Sequence, residues 1–173
     1  MQKLLLCVLM VFCSGCAKDH TKPPANLDFV SVNRETALLY DVRFDSDVDV
    51  LDLFDRGEGK GMASATLECA LAEDEDFSVD KLIRFSATGS IEPKGSDGGH
   101  AKYSYLSSAF MSEVSNGGGS RRDLSTTELN HLLSNKQQIP CKVVVTAYGY
   151  KPYYSNTLHI PVADLLREIN KPR

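Results

Sequence analysis

Histidine, serine and acidic side chains are the residues of this chain that could do catalytic chemistry, and their spacing argues against it. The sequence contains no G-x-S-x-G nucleophile motif, no H-E-x-x-H motif and no Walker-type glycine loop. A Ser-His-Asp set built from distant positions stays open as an alternative, because geometry and not sequence order defines such sets. The favoured interpretation of each histidine is a structural or surface role, so we expect a protein that is not an enzyme and has no catalytic residue. The four histidines are isolated from one another in the chain: His20, His100, His131 and His159.

A run of acidic residues is the first feature that could bind another molecule. Between positions 45 and 80 the chain has twelve Asp or Glu residues, and its only cations there are Arg56 and Lys60. Asp45, Asp47 and Asp49 alternate along the chain, so they would point to one side of a strand that continued through them. Because like charges in such a line repel, solvent, a cation or a basic protein must compensate them. We therefore select these three aspartates as candidate partner-binding residues.

Three interpretations of the acidic run stay open. The first is a set of solvated loops that aid solubility, and the second is an electrostatic docking face for a basic protein. The third is calcium binding, since the spacing from Asp45 is similar to the start of a calcium loop. That loop needs glycine at its sixth position and glutamate at its twelfth, where this chain has Val50 and Arg56. We therefore expect neither a metal nor a cofactor.

A group of tyrosines is the second candidate binding feature. Four of the seven tyrosines lie around one predicted hairpin over residues 149–156, with Lys142 and Lys151 beside them. Tyrosine is favoured at protein interfaces because it combines a large apolar ring with a polar tip, and tyrosine rings also stack on sugars. The alternative is that the rings cover the protein's own sheet or helix. The four candidate residues are Tyr148, Tyr150, Tyr153 and Tyr154.

Alternating apolar and polar residues predict the β-strands that position these side chains. The clearest alternation covers residues 38–45, with Tyr40, Val42 and Phe44 following Leu38 on one face. The segment 103–114 fits either a helix or a strand, and the strand is favoured. The further predicted faces are Ala63, Ala65, Leu67, Cys69 and Leu71; Ile83, Phe85, Ala87 and Ile91; Cys141, Val143, Val145 and Ala147; and Leu158, Ile160 and Val162.

Two short helices complete the predicted elements. Ser125 with Glu128 three residues later forms a capping-box pattern at the start of the first helix. The second helix covers residues 162–170 near the C-terminus. Their apolar stripes are Leu129, Leu132 and Leu133 in the first helix and Leu165, Leu166 and Ile169 in the second.

The N-terminus has the pattern of a secretory signal. Lys3 supplies a positive charge, residues 4–12 are almost entirely apolar, and this run is too short to span a bilayer. Ser14 and Gly15 precede Cys16, and this ending resembles the lipobox of bacterial lipoproteins, although Cys13 stands where the family usually has leucine. The resemblance implies cleavage before Cys16 and acylation of that cysteine, for example with palmitate. Because Ala17 and not aspartate follows, it also implies the inner leaflet of the outer membrane, facing the periplasm.

The domain organisation and the disulfide prediction follow from this signal. We predict a signal peptide over residues 1–15, a lipidated cysteine with a flexible linker over 16–26, and a single periplasmic domain over 27–173. Cys7 and Cys13 are removed with the signal, and Cys16 is acylated. The remaining pair, Cys69 and Cys141, is predicted to form one disulfide across the core in the oxidising periplasm, with two free thiols as the alternative.

Fold class and charge narrow the possible functions. Several short strands with few helices are typical of a mainly β protein, and we predict an antiparallel β-sandwich with Greek-key or immunoglobulin-like topology and one or two short helices, one of them C-terminal. After removal of the signal, 18 Lys and Arg residues stand against 23 Asp and Glu, a net charge of −5. This balance argues against nucleic-acid binding.

These features predict a membrane-anchored lipoprotein that binds another protein. The chain resembles the immunity lipoproteins of type VI secretion systems in general character, being small, lipidated, acidic and without catalytic motifs. That resemblance implies an inhibitor that neutralises a toxic effector acting on the envelope, such as a lipase. The alternatives are an accessory lipoprotein of an envelope or secretion assembly, a lipoprotein that binds peptidoglycan or another glycan, and an enzyme with an unrecognised site.

Overall fold

The computed structural model describes residues 17–54, 62–95 and 103–172, and it describes no side chain at positions 62 and 63. The predicted signal peptide, Cys16 and His100 lie outside these residues. Within the described part the chain forms nine strands and two α-helices. The strands are β1 (Leu27–Arg34), β2 (Leu39–Ser46), β3 (Met62–Ala70), β4 (Phe85–Lys94), β5 (Tyr103–Ser115), β6 (Ser120–Asp123), β7 (Gln138–Ala147), β8 (Tyr153–Tyr154) and β9 (Leu158–Pro161), and the helices are α1 (Thr126–Leu133) and α2 (Val162–Ile169).

All strand pairings are antiparallel and belong to one sheet. The order is β1-β2-β5-β4-β3-β7, with β8 and β9 both paired to β7 and β6 paired to the end of β5. Strands β3, β4 and β5 are consecutive neighbours in the sheet, and β2, which precedes β3 in the chain, lies on the other side of β5. These four strands therefore form a Greek key. The mainly β, antiparallel fold with a short C-terminal helix is therefore confirmed.

The two edges of the sheet approach each other, so the sheet folds over its own core. Strand β1 contacts both β9 and α2, and the Arg34 backbone N–H donates to the Glu168 carboxylate at 3.0 Å. The two layers expected of a sandwich are thus parts of one continuous sheet. Its inner face is apolar, and Phe44, Leu67 and Val143 are fully buried there.

The predicted alternation agrees with this inner face. Tyr40, Val42 and Phe44 are buried, whereas Leu38 lies just before β2 and is 41% exposed. The segment 103–114 belongs to the long strand β5. The capping box of α1 is present, since Ser125 and Glu128 each accept a hydrogen bond from the other's backbone N–H.

The predicted disulfide is present between Cys69 and Cys141, two residues separated by 72 positions. The two cysteines face each other directly in the β3–β7 pairing. The bridge therefore joins neighbouring strands of the sheet, and the expectation that it crosses the core is corrected. Both cysteines are buried, which shields the bridge from solvent.

Residues 17–26, which we call the N-terminal strap, pack against the domain where we expected a free spacer. The Tyr153 hydroxyl accepts a hydrogen bond from the Ala25 N–H at 2.6 Å and donates one to the Pro23 carbonyl at 3.0 Å. Ala25 and Tyr153 are both fully buried. A side chain from the predicted tyrosine group thus fastens the strap, and β1 follows it directly.

The pairing register divides the strands' ends into two groups. At one end, which we call the strap end, Leu27 of β1 pairs with Ser46 of β2, and Met62 of β3 pairs with Ala147 of β7. The opposite end, which we call the helix end, contains the Ala70 end of β3, the last residues of β1 and both helices. Loops that follow β3 and β5 therefore lie at the helix end.

Candidate functional site

The three candidate aspartates do not form a line on one strand face. Strand β2 ends at Ser46, so only Asp45 lies on it, and its carboxylate accepts the Ser104 hydroxyl at 2.6 Å. Asp47 accepts both the backbone and the side-chain N–H of Asn26, at 2.8 and 2.7 Å. That pair of bonds holds the start of β1 against the β2–β3 connection. The expectation of a strand that continues through the three aspartates is therefore wrong for both Asp47 and Asp49.

Asp49 also has a structural role. Its carboxylate accepts the Tyr105 hydroxyl at 2.8 Å and the Leu51 backbone N–H at 3.1 Å. Burial and the adjacent Asp49 charge together raise the pKa of the Tyr105 hydroxyl above its usual range. The Tyr105 hydroxyl in turn accepts the Val50 N–H at 3.1 Å. Asp49 therefore orders its own loop.

The four candidate tyrosines have different environments. Tyr153 is fully buried under the strap, and Tyr150 is partly buried with its ring 5.0 Å from that of Phe54. Tyr154 is partly buried, and its hydroxyl accepts the Val79 N–H at 3.1 Å. Tyr148, by contrast, is 78% exposed. These rings therefore do not share one open aromatic platform.

The connection between β3 and β4, residues 71–84, brings acidic and apolar groups together at the helix end. Phe77 and Ile83 pack on Ala70 to form a second small core beneath it. The Leu71 N–H donates to the Phe85 carbonyl at 2.9 Å, and Tyr154 holds the middle of the connection through Val79. Packing and hydrogen bonds therefore fix the backbone of the β3–β4 connection, so its outward side chains have a defined arrangement.

The outward side chains of this connection combine two kinds of group. Val79 and Leu82 are exposed by 53% and 55%. We call the following exposed set the acidic-loop surface: Glu73, Asp74, Glu75, Val79, Asp80 and Leu82. Apolar contacts surrounded by polar and charged groups are the ordinary composition of a protein interface.

Asp76 differs from its acidic neighbours because it has an internal cation. It accepts hydrogen bonds from the Lys81 ammonium and the Ser78 hydroxyl. The Lys81 bond, followed by the bonds from Ser78, lowers the pKa of Asp76 to about 2. Asp76 therefore shapes the turn of the loop, while Glu73, Asp74 and Glu75 extend into solvent.

An open groove of about 470 Å³ lies between this loop and the sheet, where Lys142 and Tyr154 face Glu75 and Asp76. A second cleft, of about 90 Å³, is lined by Leu38, Tyr40, Met111, Leu129 and Ser125 among others. Neither is lined by any of the described histidines. Among the described residues, no cluster of His, Cys, Asp or Glu has a geometry suited to a metal ion.

A chain of ion pairs beside the loop was not found by sequence reasoning. Glu113 lies between Arg84 and Arg122 at 2.6 and 2.5 Å, and Arg122 also pairs with Glu128 at 2.8 Å. These contacts connect the start of β4 with β5, β6 and α1. The Arg122 bond, followed by those of Ser125, lowers the pKa of Glu128 to about 2. No sequence signal identifies such a network, because its members are up to 44 positions apart.

Comparisons with family models, curated proteins and solved structures gave no match to this chain. Through the described ranges, none of the helices is long and apolar enough to cross a membrane. The candidate site therefore depends on its own geometry, which places an acidic and apolar surface on the β3–β4 connection, held by a small core and by Tyr154.

Proposed function

We propose that this protein is a non-enzymatic lipoprotein of the cell envelope, anchored through Cys16, whose domain binds another protein. Its most concrete form is an immunity protein that neutralises a toxic, envelope-targeting effector, such as a type VI secretion lipase. The inner leaflet of the outer membrane, facing the periplasm, is the proposed location. The observation that carries the binding proposal is the acidic-loop surface, with its exposed apolar pair among carboxylates on a packed footing.

The composition of this surface defines the partner. Val79 and Leu82 have about half of their surface still to bury, and burying a whole side chain of this kind contributes about 1.5–3 kcal/mol. The carboxylates of Glu73, Asp74 and Glu75 attract a basic protein, speed its approach and exclude acidic competitors. A basic surface with a small apolar depression is therefore the complementary partner.

The test compares two variants of the acidic-loop surface with the wild type. The detergent-extracted lipoprotein is used to isolate its partner, and the dissociation constant of the purified pair is then measured at low and moderate salt. We expect Glu73→Lys combined with Glu75→Lys to weaken binding at least tenfold and to reduce its salt dependence. We expect Val79→Ser combined with Leu82→Ser to weaken binding at both salt concentrations, because apolar contacts are not screened.

The matched control is the double reversal Asp28→Lys and Glu92→Lys. Both residues are exposed, on β1 and β4, outside the acidic-loop surface. This variant changes the net charge as much as the loop reversal, so it separates local contact from overall charge. Equal affinities for the wild type and both loop variants would refute binding at this surface.

The partner's chemistry distinguishes the remaining versions of the proposal. A lipase or peptidoglycan hydrolase inhibited by the lipoprotein supports the immunity role, whereas a structural component of a secretion machine supports an accessory role. A glycan platform has less support, because Tyr153 is buried and Tyr150 and Tyr154 are engaged in packing or hydrogen bonding. Sedimentation of the protein with purified sacculi would reverse that judgement.

A further inference from the structure

The strap is tied to one turn of the domain close to the point where the described chain begins. The Lys18 N–H donates to the Gly149 carbonyl at 2.8 Å, and the Lys18 carbonyl accepts the Lys151 N–H at 2.9 Å. Both the N–H and the carbonyl of Lys18 thus bond to the turn after β7, and residue 18 forms a bridge with Tyr150. The His20 ring adds a hydrogen bond to the Pro152 carbonyl at 3.2 Å. The residues that precede Lys18 therefore connect to the domain at this turn.

The distance to the proposed lipid anchor is then very short. Cys16 is two residues before Lys18, and two extended residues span at most about 7 Å. An acylated Cys16 places its chains in the bilayer, so the turn carrying Tyr148 and Gly149 has to lie at the headgroup level. A domain on a free ten-residue spacer would have no such constraint.

We propose that the strap end of the domain rests on the phospholipid bilayer, with Lys18, Lys22, Tyr148 and Lys151 as the membrane-contacting residues. We call these four residues the membrane-contact set. The inference rests on the proposed acylation of Cys16 and adds a fixed orientation to it. The domain stands on the membrane end-on, and its partner approaches from the opposite side.

The chemistry of the membrane-contact set suits phospholipid headgroups. Tyr148 is 78% exposed and precedes Gly149, whose φ of 79° makes the tight turn that glycine adopts without strain. Exposed tyrosines are favoured at the membrane interface because the ring is apolar and the hydroxyl is polar. The Lys18 and Lys22 ammoniums are on the exposed strap, and basic residues near a membrane are attracted to anionic lipids. Asp19 pairs with Lys151 at 2.7 Å, which offsets one of the three cations.

The position of the acidic-loop surface agrees with this orientation. Met62 and Ala147 pair at the strap end, whereas the acidic connection leaves β3 at Ala70. Eight residues of extended strand separate these points by about 26 Å. The start of the acidic connection thus lies beyond the screening length of about 8 Å at physiological salt from the strap end. Its middle lies closer, because Val79 is held by Tyr154. The aspartates at the strap end, Asp45, Asp47 and Asp49, accept hydrogen bonds from Ser104, Asn26 and Tyr105. The same orientation presents the acidic-loop surface to the periplasm.

The test uses tryptophan as a depth probe, since the wild-type chain contains none. Tyr148→Trp places the probe at the strap end, and Phe110→Trp is the matched control, because Phe110 is an aromatic residue on β5 that is 48% exposed. Each lipidated full-length variant is reconstituted into vesicles of phosphatidylethanolamine and phosphatidylglycerol that contain a brominated phospholipid. We expect bromine to quench the fluorescence of the Tyr148→Trp variant at least twofold and to leave that of the Phe110→Trp variant within a tenth of its unquenched value.

The other outcomes overturn the inference in distinguishable ways. Absence of quenching in the Tyr148→Trp variant, with Cys16 acylated by intact mass, would mean that the domain stands clear of the membrane. Equal quenching of both variants would mean that the outer face of the sheet lies flat on the bilayer. An unmodified Cys16 would remove the anchor and this inference with it, while binding at the acidic-loop surface would be decided separately by the affinity measurements.

Discussion

At the scale of single residues, a glycine sets how closely two strands can approach. Gly89 lies in β4 where the regular pairing with β5 is interrupted between Thr88 and Ile91. A Cβ at this position would be 2.4 Å from the Ser108 carbonyl oxygen and 2.6 Å from the Ser107 Oγ. Since the nearest atom belongs to the backbone, a side chain here cannot be accommodated by a rotamer change.

We therefore predict that Gly89→Ala destabilises the domain. Overpacking of this kind costs about 1–3 kcal/mol in the free energy of unfolding, because the two strands must separate. Urea unfolding followed by circular dichroism measures the difference. Gly95→Ala is the control, since a Cβ at Gly95 meets nothing within 4 Å. An equal effect of the two substitutions would show that the close approach is not what Gly89 provides.

Residue-scale hydrogen bonds also decide which acidic residues are available to a partner. Sequence counting treats Asp47, Asp49 and Glu73 alike, because all belong to one acidic run. In the structure, Asp47 accepts hydrogen bonds from Asn26 of the strap and Asp49 accepts one from Leu51 of its own loop, whereas Glu73 is exposed on the acidic-loop surface. The acidic character of the site was thus predictable, but its residues were not, because their partners are distant in sequence.

At the scale of elements, the sequence predicted the strands whose inner faces are continuous. Strand β2 buries every second side chain along its whole length, which is what an alternating pattern predicts. Strand β7 also buries residues between its predicted inward positions, among them Val144. Strand β1 was missed because a register shift between Phe29 and Ser31 breaks its alternation. All four residues of β6 are exposed, so β6 has no apolar signal. Pairing with β5 makes it a strand.

The capping box of α1 provides a test of an element's electrostatics. In the folded state the pKa of Glu128 is lowered to about 2 from an ordinary value of 4.5, chiefly by the Arg122 hydrogen bond. A lowered folded-state pKa stabilises the fold above pH 4.5, and this contribution is lost as the pH falls from 4.5 towards 2. We predict that Glu128→Gln is less stable than the wild type at pH 7, and that the difference disappears by pH 2.

Ser125→Ala is the companion variant, because it removes the capping hydroxyl and keeps the carboxylate. We expect it to lower the free energy of unfolding by about 1 kcal/mol at pH 7 and to remain less stable than Glu128→Gln at the acid limit. Thermal unfolding between pH 2 and pH 7 gives both profiles. A pH-independent difference between wild type and Glu128→Gln would contradict the charge-based explanation.

At the scale of the whole molecule, the fold places the strap at one end of the sheet and the start of the acidic connection at the other. The strap end combines exposed lysines and Tyr148 with Asp45, Asp47 and Asp49, and the helix end has the start of the acidic loop and the ion-pair chain. The sequence could not predict this polarity, because the strap and the turn after β7 are about 130 positions apart. A parallel bridge between Lys18 and Tyr150 joins the strap to the turn, and antiparallel pairing of β3 with β7 puts the acidic connection at the other end.

The disulfide acts on the whole chain, since it joins β3 to β7 and closes a loop that contains the acidic connection, β4, β5, β6 and α1. A bridge across 72 positions restricts the unfolded ensemble and contributes about 4 kcal/mol in the chain-entropy model. We predict that the double variant Cys69→Ala and Cys141→Ala keeps its secondary structure, because the β3–β7 ladder remains. Its free energy of unfolding should fall by about that amount, so its urea midpoint should be lower. Adding dithiothreitol should bring the wild type towards the same midpoint and leave the variant unchanged. If the oxidised wild type and the double variant unfolded together, packing of the two strands alone would account for the stability of this half of the sheet.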